Sequence, residues 1–428
     1  MKILLFSYYD PLGKGGFEKQ IRGLIKTLIR SGHQIACLTI TDPKNVSNLK
    51  ANLESSQLFE LGIWILPYEE EGYSLIARFL FWLSSNPAKF LAQQHPGLLY
   101  QSQDKLFEIS KISEIDIIHC LGLRTSYFLP DKSSIPIVLD LVDSFTQHKK
   151  RAIKYYLKSY SIIKLALAVF DFLKTRRIEQ SILSTYDNAL VSVVSSKDAS
   201  VLKALSPRSS IYVTSHPVDI DILEKSGSIA PTDKPEDQPD RIIFYGFMEQ
   251  LWNIDALRFL IYEILPIVYR NYSNIQLSIT GFNIPDEIFK LSSQFDWISV
   301  NSSVENISSF LDSATLTCWP FRYGSGFKNK ILESMVFGKA VVTTTLGAEA
   351  FTEQQKQGLL IDDTAEGLAQ KIIFLLKNSN ERLRLGEINR QIALNEFSWK
   401  KKTQDYLRLY SLAIEAFGRA SVAEKTYY

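Results

Sequence analysis

The chain has 428 residues, long enough for two domains rather than one, and its 46% apolar content is enough to build full cores. A formal net charge of +2 gives no global reason to expect nucleic-acid binding. Cys37, Cys120 and Cys318 are far apart in apolar, strand-like runs, and the five histidines show no paired spacing. Neither a disulfide framework nor a zinc site is expected, and the cysteines read as core residues in a reducing compartment.

The opening "MKILLFSYYDPLGKGG" has too short an apolar stretch for a signal peptide, and a charged, glycine-rich loop follows at once. No stretch reaches the roughly 18 apolar residues of a membrane span. A cytoplasmic protein is expected, with any membrane contact peripheral. "KILLFSY" reads as a buried strand. The loop after it, "PLGKGGFEKQ", fails the G-x-G-x-x-G dinucleotide pattern, because the sixth place from Gly13 is Glu18. Gly15 and Gly16 still let the backbone pass close to a ligand, toward which the next helix aims free N–H groups; the alternative is a plain turn.

"FEKQIRGLIKTLIRSG" has apolar residues at helical spacing and a glycine stop at Gly32. "HQIACLTI", "DIIHCLG", "PIVLDLV" and "NALVSVV" read as further strands with helical text between, which implies a parallel sheet covered on both faces. A first Rossmann-like domain is expected over residues 1–218, and a polar, Pro- and Asp-rich linker over 219–240. The alternation then restarts with "RIIFYG", "IQLSITG", "WISVNS", "ATLTCWP" and "AVVTTT", giving a second domain over 241–402. A terminal helix over 403–428 is expected to brace the first domain. The fold class is α/β: two doubly wound domains facing across a cleft, with ligands beyond the carboxyl ends of the strands.

The stretch "PFRYGSGFKNKILESMVFGKAVVTTT", Pro320 to Thr345, carries the most chemistry. A helix is expected from Phe327 to Gly338, with Lys328 and Lys330 at its start. Those cations oppose the helix dipole, a conflict best tolerated where an anion binds. A phosphate there would meet backbone donors, the lysines and Arg322; the alternative is a solvated basic loop. Glu333 follows one turn past Asn329 and Lys330, among apolar neighbours. A carboxylate is a poor phosphate ligand but suits the vicinal hydroxyls of a ribose, so the combination points to a nucleoside diphosphate site.

Several stretches together resemble the retaining glycosyltransferases of family four, which have the GT-B fold. They are "GGFEKQIRGLIKTLIRSGHQI", "DIIHCLG", "PIVLDLVDS", "SHPVDID", "FYGFMEQLWNIDALRFL" and "GSGFKNKILESMVFGKAVVTTTLGAEAF". Trp252-Asn253 with Gly326, Lys328 and Lys330 is most similar to a branch acting in bacterial exopolysaccharide and cell-surface glycan assembly. The resemblance implies transfer of a sugar from a nucleotide diphosphate sugar to a glycan or lipid-linked acceptor with retention, without a metal and with no cofactor beyond that co-substrate. Glu333 falls on the ribose-binding position, Phe327, Lys328, Asn329 and Lys330 on the phosphate loop, and Gly246 on the glycine turn. Gly15 and Gly16 fall on the loop over the donor, and Gly347 and Glu349 on the base and ribose side.

Two departures stand out. Ser325 replaces the glutamate that usually grips the hexose, and the Arg and Lys that commonly follow the glycine turn are absent after Gly246; Lys328 and Lys330 can replace that charge. Asp143, next to Val142, and Asp140 could serve as base or hold the acceptor, unless Asp143 is a helix cap. Asp143, Lys330 and Glu333 are thus the expected catalytic groups. A sugar-nucleotide 2-epimerase and a non-catalytic scaffold of the same fold are the competing readings.

Residues 149–177 carry nine basic residues and one acid, Asp171, around an apolar, aromatic centre. With "YSLIARFLFWLSSNPAKFLAQ" they have the character of segments that lie on an anionic membrane, where a lipid-diphosphate-linked glycan would be met; the alternative is core helices of a large domain.

Overall fold

The computed structural model describes residues 1–8, 10–13, 16–68, 81–82, 84, 86–158, 161–218, 239–301, 307–324 and 326–426. Gly15, Ser325, most of the 219–240 segment and residues 73–80 of the second apolar stretch lie outside the described residues. The chain divides into two compact units, Met1–Pro217 with Trp399–Tyr428, and Val218–Ser398.

The first unit is built on seven parallel strands among the described residues: β1 (Lys2–Ser7), β2 (Gln34–Thr41), β3 (Gly62–Pro67), β4 (Ile117–Leu121), β5 (Ile137–Val142), β6 (Leu190–Val193) and β7 (Ser210–Val213). Their order in the sheet is β3-β2-β1-β4-β5-β6-β7. The central strands are near-continuous apolar runs because helices cover both faces; Ile3, Leu4, Phe6, Ile117, Val138 and Leu139 are all buried. Cys37 and Cys120 lie in this core, Cys318 in the other, and all three are free thiols. The first helix, Gly16–Arg30, ends where Gly32 adopts φ +79, a left-handed conformation that glycine takes without steric cost.

The second unit has six parallel strands among the described residues: β8 (Asp240–Phe247), β9 (Ile275–Phe282), β10 (Ile298–Asn301), β11 (Leu316–Trp319), β12 (Val341–Thr343) and β13 (Leu359–Ile361). They run β10-β9-β8-β11-β12-β13, the doubly wound order with its switch between β8 and β11. Asp240, read from sequence as the last linker residue, opens β8: it pairs with Ile275, and its carboxylate accepts from the Tyr272 hydroxyl at 2.6 Å.

Three strands were not legible in the sequence: β3, β7 and β13. Each is the outermost strand of its sheet and is short or half-exposed, so it lacks the unbroken apolar run that marks a central strand.

The terminal helix begins at Trp399, not at residue 403, and belongs to the first unit from that point. Trp399 takes the space over Gly23, where an added Cβ would lie 2.0 Å from its ring. The Thr403 hydroxyl donates to Thr27 at 2.8 Å, and the Lys402 ammonium to the Thr214 hydroxyl at 2.9 Å. Residues 399–402, assigned from sequence to the second domain, are therefore the first turn of this helix.

β8 and β9 end in a close glycine pair. A Cβ on Gly281 would lie 1.9 Å from the carbonyl oxygen of Gly246, and both glycines have strongly positive φ, +147 and +152. Gly281→Ala is expected to cost more than about 3 kcal/mol, because backbone rather than a flexible side chain must yield and the φ is strained as well. Urea denaturation with Gly97→Ala of the first unit as control, where an added Cβ meets nothing within 4 Å, checks this.

Candidate functional site

All strands of the second unit are parallel, so β8, β11 and β12 deliver the chain to one carboxyl edge in adjacent places. From that edge emerge the turn after Gly246, the loop 320–328 and the loop 344–350. The loop after β11 turns on Gly324 and Gly326, at φ +101 and +71. Phe327 packs its ring against Phe351 and Phe397, with centroids 4.7 and 5.4 Å away, which pins the loop to the core. The side chain of Phe327 is thus structural, and any ligand contact there falls to backbone.

The helix that follows is shorter than the sequence reading. It spans Asn329–Val336, with Lys328 at the N-cap position, no side-chain cap and no acid in the first turn. Phe327 is excluded because its ring is committed to the core, and Gly338 because the chain turns there at φ +62. The helix is fixed to β11 by the Trp319 indole, which donates to the Ser334 hydroxyl at 2.9 Å while that hydroxyl donates to the Lys330 carbonyl at 2.7 Å. An uncapped N-terminus carrying cations is an electrostatic conflict unless an anion completes it.

Glu333, Lys330, Tyr245, Gly246 and Asn253 come together. The Tyr245 hydroxyl donates to Glu333. Burial, and then the Glu333 charge, push the Tyr245 phenol well above its ordinary value, so it stays a donor. The Lys330 ammonium lies 5.7 Å from the centre of the Tyr245 ring. A Cβ on Gly246 would lie 3.0 Å from Lys330 Cε and 3.0 Å from the Asn253 amide nitrogen, so the glycine makes room for both. Burial lowers the Lys330 pKa and Glu333 partly restores it. The Asn253 amide donates to the Phe247 carbonyl at 2.9 Å, locking the glycine turn to the helix Leu251–Phe259.

Lys328 forms a second cluster with Trp252 and Gly324. It is largely buried, 5.6 Å from the Phe321 ring centre, and a Cβ on Gly324 would lie 3.3 Å from its ammonium and 3.4 Å from Trp252 Cβ. Trp252 is half-buried beside Tyr323. In the loop after β12, the Gly347 N–H donates to the Thr344 hydroxyl at 3.0 Å, and Thr343 Oγ1 occupies the space a Cβ would need. Glu349 follows in the same loop, half-buried.

Arg322 does not join these groups. Its guanidinium donates to both Asp255 oxygens, at 3.2 and 3.0 Å, and to Glu263 at 3.1 Å, and it stacks 4.1 Å from the Phe259 ring centre. Two carboxylates and an aromatic face engage three of its five N–H donors and hold the guanidinium toward the helix Leu251–Phe259, so a phosphate there would have to compete with Asp255 and Glu263.

In the first unit, Gly16 opens the helix after β1, and Asp143 lies just past β5. Val142 takes φ +63, an outlier for a β-branched residue, where the pairing of β5 with β6 shifts register. Asp143 is not the cap of the next helix, Phe145–Lys158: Ser144 Oγ accepts from the Gln147 N–H at 3.3 Å, and buried Glu179 accepts from the Phe145 N–H at 2.6 Å.

Asp140 is buried and committed elsewhere. It accepts from the Ser192 hydroxyl at 2.9 Å and from the Tyr406 hydroxyl, and it lies 3.5 Å from His119. Burial alone would raise its pKa, but His119, Lys402 and Tyr406 hold it well below the usual carboxylate range. A carboxylate held that low is a poor base, which removes it from the candidates for proton transfer.

Comparison with known proteins follows this division. Residues 239–378 match the family model described as glycosyl transferases group 1. A protein of the cps region of Klebsiella pneumoniae, of 44.6 kDa and uncharacterised, is 25% identical over 177 residues, 40% of this chain. The match spans 44% of that relative's length. Among solved structures, sucrose-phosphate synthase from Thermosynechococcus elongatus superposes with a TM-score of 0.65 at 18% identity, over 97% of this chain and 99% of that one. HepE from Anabaena, solved in complex with UDP, gives 0.59 at 12% identity, over 96% of this chain and 100% of its own. The fold is GT-B: two Rossmann-like units with parallel sheets.

Proposed function

We propose that the chain is a glycosyltransferase that moves a sugar from a nucleotide diphosphate sugar to a glycan or lipid-linked acceptor, with retention, in polysaccharide or cell-surface glycan biosynthesis. The observation that carries this reading is the meeting of Glu333, Lys330 and Tyr245 at the glycine turn of β8, within the segment that matches the glycosyltransferase model. Glu333 accepts from the ribose hydroxyls. Lys328, Lys330 and the uncapped helix start stabilise the diphosphate as the C1–O bond to it breaks. A bond from C1 to the acceptor hydroxyl forms on the same face, and the hydroxyl proton passes to a leaving phosphate oxygen.

The chemistry is metal-independent in this reading and needs no cofactor besides the co-substrate. The UDP held by the HepE relative supports a nucleoside diphosphate ligand. The cps-region relative supports a role in polysaccharide assembly. The protein acts in the cytoplasm, peripheral on the inner face of the cell membrane. A non-catalytic scaffold of the same fold is the second reading; the diversion of Arg322 onto Asp255 and Glu263 favours it by removing one cation from the site.

Thermal-shift titration against UDP, GDP and ADP and their sugars separates the two. Ligand at a hundred times its Kd stabilises the native state by about 2.7 kcal/mol. One diphosphate is expected to raise Tm clearly, and its sugar to be hydrolysed or transferred. Binding without turnover on any acceptor favours the scaffold, and no shift with any diphosphate overturns both uses of the site.

A further inference from the structure

We propose that the first unit docks on an anionic lipid bilayer through the hairpin of the helices Phe145–Lys158 and Ile162–Thr185. The inference rests on the reading of the protein as peripheral and names the element responsible. The two helices are tied by an ion pair between Lys149 and Asp171 at 3.0 Å. The root of the second helix is core, with Ile178, Ile182 and Leu183 buried. Its first half is largely exposed, apart from buried Ala168 and the edge contact of Phe170 with Trp82. Ile162 is 82% exposed, Ile163 76% and Leu167 61%, and Phe170 and Leu173 are exposed too.

Ile163, Leu167 and Phe170 recur at four and three residues, so they form one stripe along the helix. Scattered exposed apolar residues are ordinary; a contiguous stripe on one element marks an interaction surface. The alternative, a core helix, therefore describes only its root. No helix among the described residues is long and apolar enough to cross a membrane, so insertion would be shallow.

Charge decides the occupant. Lys150, Lys154, Lys164 and Arg176 are exposed on the same hairpin, and Asp171, the one acid of residues 149–177, is already paired with Lys149. An apolar stripe flanked by cations complements lipid chains beneath anionic headgroups. A second copy of the chain would bring like charges together.

Flotation of the full chain with vesicles tests this. Binding is expected to phosphatidylglycerol–phosphatidylethanolamine vesicles and to weaken with salt, with little binding to phosphatidylcholine. Lys150→Glu/Lys154→Glu/Lys164→Glu should lower the partition roughly a hundredfold, at about fivefold per cation. Ile163→Ser/Leu167→Ser/Phe170→Ser should abolish flotation. All six positions are at the surface, so affinity for the nucleoside diphosphate should match the wild type. Failure of the wild type to float, equal binding to neutral vesicles, or undiminished binding by both variants overturns the proposal. So does a lipid-free dimer that the serine variant dissolves, when wild type ignores vesicles. Loss of diphosphate binding by wild type would count against the proposed function instead, because flotation does not depend on it.

Discussion

Glu333→Ala is expected to lower kcat/KM for the nucleotide sugar at least roughly a hundredfold and to weaken nucleoside diphosphate binding to a similar degree. Two hydrogen bonds from ribose hydroxyls to a carboxylate are worth about 1.5–3 kcal/mol each, and a loss of about 3 kcal/mol is more than a hundredfold in affinity. The effect should exceed simple deletion, because Glu333 has neighbours that depend on it. Its charge supports the ammonium form of half-buried Lys330 against burial, so removal lowers the lysine's pKa further and weakens the cation beside the glycine turn. Tyr245→Phe separates these contributions. It removes the hydroxyl that orients Glu333 but keeps the carboxylate, and should cost only several-fold. Titration calorimetry with the diphosphate that stabilises the wild type reads both variants. Unchanged affinity in Glu333→Ala would end the ribose assignment.

The sequence was most informative where the deciding contacts are local. The ten strands legible as apolar runs are all flanked by neighbours or lie in the sheet interior, apart from β10, while β3, β7 and β13 are edges with weak patterns. Lys330 and Glu333 share one short helix, and the glycines that shape their loop are in the same stretch, so this cluster was readable before any fold was known. Tyr245 was not, since only the register of β8 brings its hydroxyl to a carboxylate 88 residues away. Arg322 misled for the same reason. It stands in the phosphate loop by sequence, but its partner Asp255 is 67 residues earlier, on a helix that follows the glycine turn. Asp140 and Tyr406 are 266 residues apart, beyond the reach of any local pattern.

That last pair carries the second large expectation: Asp140→Asn should destabilise the first unit by about 3–5 kcal/mol. The terminal helix is held to the first unit by polar contacts as well as by packing of Trp399, Leu409 and Ala413. Tyr406 and Tyr410 are fully buried, the first donating to Asp140 and the second hydrogen-bonded to His119 Nδ1 at 2.6 Å. Lys402 is buried beside them, its pKa lowered by burial and partly restored by Asp140 and Asp405. Removing the carboxylate takes the acceptor from the buried Ser192 and Tyr406 hydroxyls and the compensating charge from buried Lys402 nearby, and leaving buried polar and charged groups uncompensated is costly. The same group sets an acid limit. Asp140 is depressed in the folded chain, so its stabilisation is fully present above the ordinary aspartate value near 3.9 and is lost as pH falls below it. Wild type should therefore lose stability below about pH 4 more steeply than Asp140→Asn, whose curve starts lower and is flatter there. Urea denaturation of both proteins from pH 3 to pH 7, followed by tyrosine and tryptophan fluorescence, measures this; parallel pH curves would mean that Asp140 is not held ionised by Lys402 and Tyr406.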